Sequence, residues 1–154
     1  MDMDRYDKQI LAILQEDATV PVAEIGERVG LTSTPCWRRI QKLEEAGLIL
    51  KRVALLDADK LNAGVTVFVS VRTSQHNLKW IRQFHGLMAS IPEVTELYRM
   101  AGDTDYLLRV VVPDIAAYDR VYKKLIQGAE LADVSSSFAM EQIKYTTALP
   151  LDYA

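Results

Sequence analysis

The sequence predicts an α+β chain made of two units in tandem: three short helices with a hairpin, then a βαββαβ arrangement. Two observations carry this. Apolar residues recur at helical spacing between turn residues over the first sixty positions, and from about residue 65 the pattern changes to alternation interrupted by two helical stretches. The length of 154 residues, 49% of them apolar and 25% charged, suits one ordinary domain or two small ones and excludes wholesale disorder.

The elements follow in order. Asp4 suits a helix N-cap with Asp7 at its third position, and Tyr6, Ile10, Ile13 and Leu14 then share one face. The chain turns through Asp17–Thr19, and Pro21 fits only near the first turn of a second helix. That helix buries Val22, Ile25 and Val29 and ends at Gly30, where a tight turn needs positive φ; Leu31 then plugs the core. Thr32 is positioned to cap a third helix, Pro35 lies early enough to need no intrahelical donor, and Cys36, Ile40 and Leu43 form its apolar stripe. After Gly47 the run Leu48–Leu56 has strand character, with Lys51 and Arg52 near its middle. These elements form a first domain over residues 1–56, and a linker at 57–64 includes the turn Asn62-Ala63-Gly64.

The second domain spans 65–154. Val65, Val67, Val69 and Val71 alternate with Thr66, Phe68, Ser70 and Arg72 as a strand does. A helix follows with Leu78, Ile81, Phe84, Leu87 and Met88 on one side, stopping before Pro92. Val94–Ala101 and Tyr106–Val112 alternate about the turn residues Gly102–Asp105. Asp114 caps a helix burying Ile115, Tyr118, Val121, Tyr122, Leu125 and Ile126, which ends at Gly128, and a last strand runs from about Val134 to Lys144. The order βαββαβ is that of a ferredoxin-like sandwich, with two helices on one face of an antiparallel sheet. Phe68 and Leu107 on the other face imply that a second copy covers it, so a homodimer is expected.

Charge separates the segments. The net charge is −3 and the pI about 5.4, which taken alone argues against a nucleic-acid partner. Residues 32–52, however, carry five basic side chains against Glu44 and Glu45, while residues 1–31 carry three against seven acidic ones. A positive island in an acidic protein suits a polyanion, although a charge cluster is in general more often a solvated face. Here the island falls on the third helix and the run after it. Ser33, Thr34, Trp37, Arg38, Arg39, Gln41 and Lys42, with Lys51 and Arg52, are the candidate DNA-binding residues. Hydroxyls and backbone N–H groups at a helix start bind phosphate, Arg38 and Gln41 suit base edges in the major groove, and Lys51-Arg52 suits a basic wing. Trp37 fits either a DNA sugar contact or packing on the first helix.

Thr32-Ser33-Thr34-Pro35-Cys36-Trp37-Arg38-Arg39-Ile40, with Leu43-Glu44 and Gly47-Leu48-Ile49, resembles the winged helix-turn-helix of the leucine-responsive/asparagine (Lrp/AsnC, feast/famine) regulators. Asp4-Arg5-Tyr6-Asp7 with Ile10-Leu11 is similar to that family's first helix, and Ala101–Arg109 to its Gly-Asp-x-Asp-Tyr-Leu hairpin. The resemblance extends from Asp4 to about Tyr145. It implies a transcription regulator of amino-acid metabolism whose βαββαβ domain forms dimers and tetramers or octamers and binds a free amino acid between dimers. The tail Ser135–Pro150 looks closest to a branch responding to cysteine.

An amino acid needs acceptors for its ammonium and donors for its carboxylate. Gly102, Asp103, Thr104, Asp105 and Tyr106 are the candidates on the hairpin, with Ser135, Ser136 and Ser137 as the opposite wall if the last strand lies beside it. Gly-Asp-x-Asp is equally what any tight hairpin favours. A small enzyme with Asp103 and Asp105 as acid and base is the alternative in another class, and an architectural DNA-binding protein without effector is a third. No phosphate loop or metal-ligand spacing occurs, so neither a metal nor a cofactor is expected. His76 and His85 read as surface or capping residues and Cys36 as a buried small hydrophobe. One cysteine, two histidines and no apolar run of the roughly 18–20 residues that a membrane span needs point to a reducing cytoplasm and no membrane partner.

Overall fold

The computed structural model describes residues 2–154, which divide into two compact units: the chain up to Leu55 together with Lys144–Ala154, and Leu56–Ile143. The C-terminal eleven residues thus belong to the first unit, whereas the sequence places them with the second. The reason is an apolar anchor, since Leu151 packs on the first unit's core.

Helix α1 (Arg5–Glu16) opens with a capping box in which the Asp4 carboxylate accepts from the Tyr6 and Asp7 amides and Asp7 accepts in return from Asp4 N–H. α2 (Val22–Val29) starts after Pro21, and α3 (Ser33–Glu45) after Thr32. Gly30 takes φ +80°, and a Cβ on Gly26 would meet the Leu31 carbonyl oxygen at 2.6 Å. Only glycine therefore fits where the α2–α3 turn folds back on α2. Ile10, Leu11, Ile25, Val29, Cys36, Ile40 and Leu43 are buried between the three helices.

The expected strand over Leu48–Leu56 does not form. Gly47 (φ +72°) ends α3, and the residues after it carry no regular secondary structure and lie exposed apart from Ile49. A strand needs a ladder partner, and this segment has none among the described residues.

The second unit contains β1 (Val65–Arg72), α4 (Leu78–Ala89), β2 (Val94–Arg99), β3 (Tyr106–Val112), α5 (Ile115–Gly128) and β4 (Asp133–Phe138). The sheet is antiparallel in the order β2-β3-β1-β4, the ferredoxin-like arrangement. Val67, Val69 and Val71 with Leu108, Val110 and Val112 form the face that Trp80, Phe84, Met88, Tyr118, Val121 and Leu125 cover. β4 ends at Phe138 rather than near Lys144 because β1 runs out: the Ala139 amide makes the last bond, to Thr66. β2 stops at Arg99 because Met100 N–H already closes the hairpin onto Asp105. Leu78, Ile115 and Ile126 are exposed where burial is expected. Each lies about 105–125° round its helix from the centre of the buried stripe, at about 100° per residue.

Candidate nucleic-acid interface and ligand cavity

The basic island resolves into two kinds of cation. Arg39 turns inward: its Nη1 lies 2.8 Å from Asp4 Oδ2 and 2.9 Å from Asp7 Oδ1, and its guanidinium sits 5.2 Å over the Tyr6 ring. Asp7 is buried, and its hydrogen bond, ahead of that from Asp4, raises the Arg39 pKa above the usual guanidinium value. Arg39, expected among the DNA contacts, is instead the pin between α1 and α3. A buried carboxylate demands a partner, which an unstructured charge count cannot reveal. Arg52 also has a partner, Glu44 at 2.8 Å, and Gln41 donates to the same carboxylate at 3.2 Å.

Arg38, Lys42 and Lys51 are exposed and have no ion pair among the described residues. Ser33, Thr34 and half-exposed Trp37 share the outer surface of α3 with Arg38. Thr32 occupies the N-cap position without making the side-chain cap bond, so the first-turn donors of α3 are unclaimed by it. An exposed helix start with hydroxyls, backbone donors and an unpaired guanidinium can meet phosphate and base edges together.

In the second unit a cavity of about 150 Å³ opens at one end of the sheet, lined by Thr73, Gln75, His76, Ile81, Arg99, Met100, Asp105 and Tyr106. Asp105 and Tyr106 come from the expected set. Asp105 N–H donates to Val71 O at 3.0 Å, and its Oδ2 accepts from Thr73 N–H at 2.8 Å, so one carboxylate oxygen is engaged and the other is free to accept. Tyr106 packs under the cavity against Phe84, ring centroids 4.7 Å apart. Gly102 (φ +120°) and Asp103 sit exposed at the hairpin tip, and neither they nor Thr104 line the cavity. Of the two hairpin aspartates, Asp105 therefore lines the cavity and Asp103 does not.

The three serines are not the opposite wall, because β1 lies between β4 and the β2–β3 hairpin. Ser136 faces the helices and hydrogen-bonds Tyr118 Oη, while Ser135 and Ser137 share the open sheet face with Phe68. Sequence reasoning missed Arg99, Gln75, Thr73, His76, Ile81 and Met100. Their signal is topological: antiparallel pairing of Val71 with Tyr106 brings the end of β1 to the start of β3, where β2 also ends.

Two family models match the chain: the AsnC-type helix-turn-helix domain over residues 3–44 and the Lrp/AsnC ligand binding domain over residues 66–149. This chain belongs to the Lrp/AsnC family. It is 46% identical over 151 residues to the DNA-binding transcriptional activator DecR of Escherichia coli (strain K12), covering 97% of this chain and 99% of the relative. It is 48% identical over 149 residues to the glutamate uptake regulatory protein of Zymomonas mobilis, covering 97% and 91%. Among solved structures it resembles an AsnC family transcriptional regulator from Agrobacterium tumefaciens, with TM-score 0.95, 64% identity and coverage of 98% and 99%. A transcriptional regulator from Neisseria meningitidis, solved as its L-methionine complex, matches with TM-score 0.94, 34% identity and 99% of each chain. Like these Lrp/AsnC relatives, the chain is a DNA-binding transcription regulator: a helix-turn-helix unit followed by a ligand-binding unit.

Proposed function

We propose that α3 enters the major groove with Arg38 reading a base edge, while Ser33, Thr34, Trp37, Lys42 and Lys51 contact the sugar–phosphate backbone. The observation that carries this is the division of neighbours on one helix, Arg38 exposed and without an ion pair among the described residues beside Arg39 locked to Asp4 and Asp7. Gln41 and Arg52 join the contact by releasing Glu44. A cytoplasmic setting fits the single buried Cys36.

In the same reading a free α-amino acid enters the cavity, with the Arg99 guanidinium on its carboxylate and the free Asp105 oxygen on its ammonium. Ile81, Met100 and Tyr106 leave an apolar wall for a small side chain; cysteine, implied by the tail's resemblance, is the first candidate and methionine the second. Phe68, Leu107 and Tyr98 on the open sheet face, with Ser135 and Ser137, form the surface where a second copy docks. Larger assemblies would build on that dimer.

The test is fluorescence anisotropy with a labelled fragment from the gene's own upstream region, at low and moderate salt, with excess unrelated DNA. Tight binding that survives the competitor and weakens with salt is expected. Equal affinity for both DNAs, with and without a pooled amino-acid mixture, would sink the reading of α3. Melting curves with each amino acid test the cavity, since a ligand selective for the folded state raises the melting temperature.

A further inference from the structure

We propose that the C-terminal segment Leu149–Ala154 is a strap that positions the recognition helix α3 by holding α1, an inference that rests on the DNA-reading role of α3. The segment carries no regular secondary structure beyond a turn, yet it is held at three points. The Gln15 side-chain amide grips the Leu149 backbone on both sides: Leu149 N–H donates to Gln15 Oε1 at 2.6 Å, and Gln15 Nε2 donates to Leu149 O at 3.2 Å. Leu151 is half-buried against the three-helix core, whereas every residue from Ser137 to Pro150 is exposed. Lys8 Nζ donates to the Ala154 carbonyl oxygen.

Lys8 and Gln15 are seven residues apart, two turns along one face of α1, so the strap follows roughly 10 Å of that helix. At the N-terminal end of α1, Asp4 and Asp7 grip Arg39 of α3. The links therefore run without a break from Leu149 through Gln15, α1 and Arg39 to the helix that carries Arg38.

The pattern is specific in a way that a solvated tail is not. A side-chain amide satisfying both the N–H and the C=O of one residue reproduces a ladder pair, and glutamine alone among the side chains of α1 offers a donor and an acceptor together in that geometry. Gln15 and Leu149 are thus positioning residues, and neither is placed in the DNA contact.

The experiment uses the full chain with Gln15→Ala, with Leu149→Pro, which removes the donated N–H at an exposed position, and with both. Hydrogen exchange is read in α1 and α3, and affinity for the upstream fragment and for unrelated DNA is measured well below the melting temperature. Each single variant is expected to speed α1 exchange about three- to tenfold, as loss of a hydrogen bond or two predicts, and to leave α4 and α5 unchanged. Preference for the upstream fragment falls by a similar factor while binding to unrelated DNA holds. The double variant goes no further than either single one, because both remove the same contact. Gln15→Glu, which keeps the acceptor for Leu149 N–H, recovers part of the loss. Unchanged α1 exchange, effects that add in the double variant, or faster exchange with undiminished DNA preference would each overturn the strap. If the unaltered protein shows no preference for its upstream fragment, the reading of α3 fails instead, and the exchange data alone decide whether the strap holds α1.

Discussion

Seven buried apolar residues hold the three helices of the first unit together, whereas fifteen lie between sheet and helices in the second. The smaller core is supplemented by polar fastenings: the Asp4–Asp7 capping box, Arg39 on both carboxylates, and the Gln15 grip on Leu149. The larger core has polar fastenings as well, among them the Asn77 and Asp114 caps and Trp80 Nε1 on Glu130 O, but there they accompany ladders from β2 to β4 that satisfy most of the sheet's backbone. In the first unit, therefore, the cations are divided between those that build the fold, as Arg39 does, and those left exposed, as Arg38, Lys42 and Lys51 are, and in the second polar groups gather where strands end, around the cavity. A charge carries function only after the fold's own demand for it has been met.

Replacing Arg39 breaks this contrast most severely. Arg39→Ala leaves the buried Asp7 carboxylate without its cation and should destabilise the first unit by about 2–4 kcal/mol, somewhat less than stranding one member of a fully buried pair because the Arg39 side chain is 30% exposed. Urea unfolding followed by hydrogen exchange should show α1 to α3 opening earlier and the sheet unaffected. Arg38→Ala, one residue earlier, should leave that stability within about 0.5 kcal/mol. A drop comparable to that of Arg39→Ala would mean that α3 faces the other way. Gly26→Ala comes next, costing about 1–3 kcal/mol because the Leu31 carbonyl must move to admit a methyl group.

How much of this could be read from the residues differs between the units. The helices, the Asp4 cap, the Gly30 turn and the βαββαβ order follow from periodicity and turn chemistry, which are local. What escapes is long-range pairing. Arg38 and Arg39 are equivalent in composition, and only the meeting of α1 with α3, 32 residues apart, assigns Arg39 to Asp7. Leu48–Leu56 has strand character but finds no ladder partner among the described residues, and the serines of β4 are separated from the hairpin by β1. The cavity was half legible: the hairpin marks the end of the sheet that matters, but Arg99, Gln75 and Thr73 join Asp105 only through the register Val71↔Tyr106.

The reading function sharpens the comparison at the next level. Arg38→Ala should weaken specific DNA binding by about 1–3 kcal/mol and relax the preference at one position of the operator, while Lys42→Ala should weaken binding to all sequences alike and lower the salt slope. Anisotropy on matched and single-base-altered fragments distinguishes the two. In the second unit Arg99→Ala should abolish the rise in melting temperature caused by an amino acid, leaving the apo melting temperature and the DNA affinity unchanged, since Arg99 is exposed and has no ion pair among the described residues. A lower apo melting temperature would show that Arg99 supports the hairpin instead.

The smallest expected effect is in the pH dependence, and it again separates the units. Hydrogen bonds from the Asp7 amide, then Arg39, hold the Asp4 carboxyl below its ordinary 3.8, and Thr19 does the same for Asp17. A group whose pKa is lower folded than unfolded stabilises the fold above the unfolded value, and that contribution disappears as pH falls through the folded one. The first unit should therefore weaken below about pH 4, as these caps are protonated. In the second unit burial pushes the Tyr118 hydroxyl above its ordinary 10, so its contribution is complete below that value and is lost as pH rises further. Burial likewise raises the Cys36 thiol above 9 in the first unit, so alkali acts on both units while acid acts first on one. Hydrogen exchange across an acid titration should show α1 opening ahead of α4 and α5. If both units open together near pH 4, the capping carboxylates are not what sets the acid limit, and the polar fastening of the smaller core is weaker than its geometry implies.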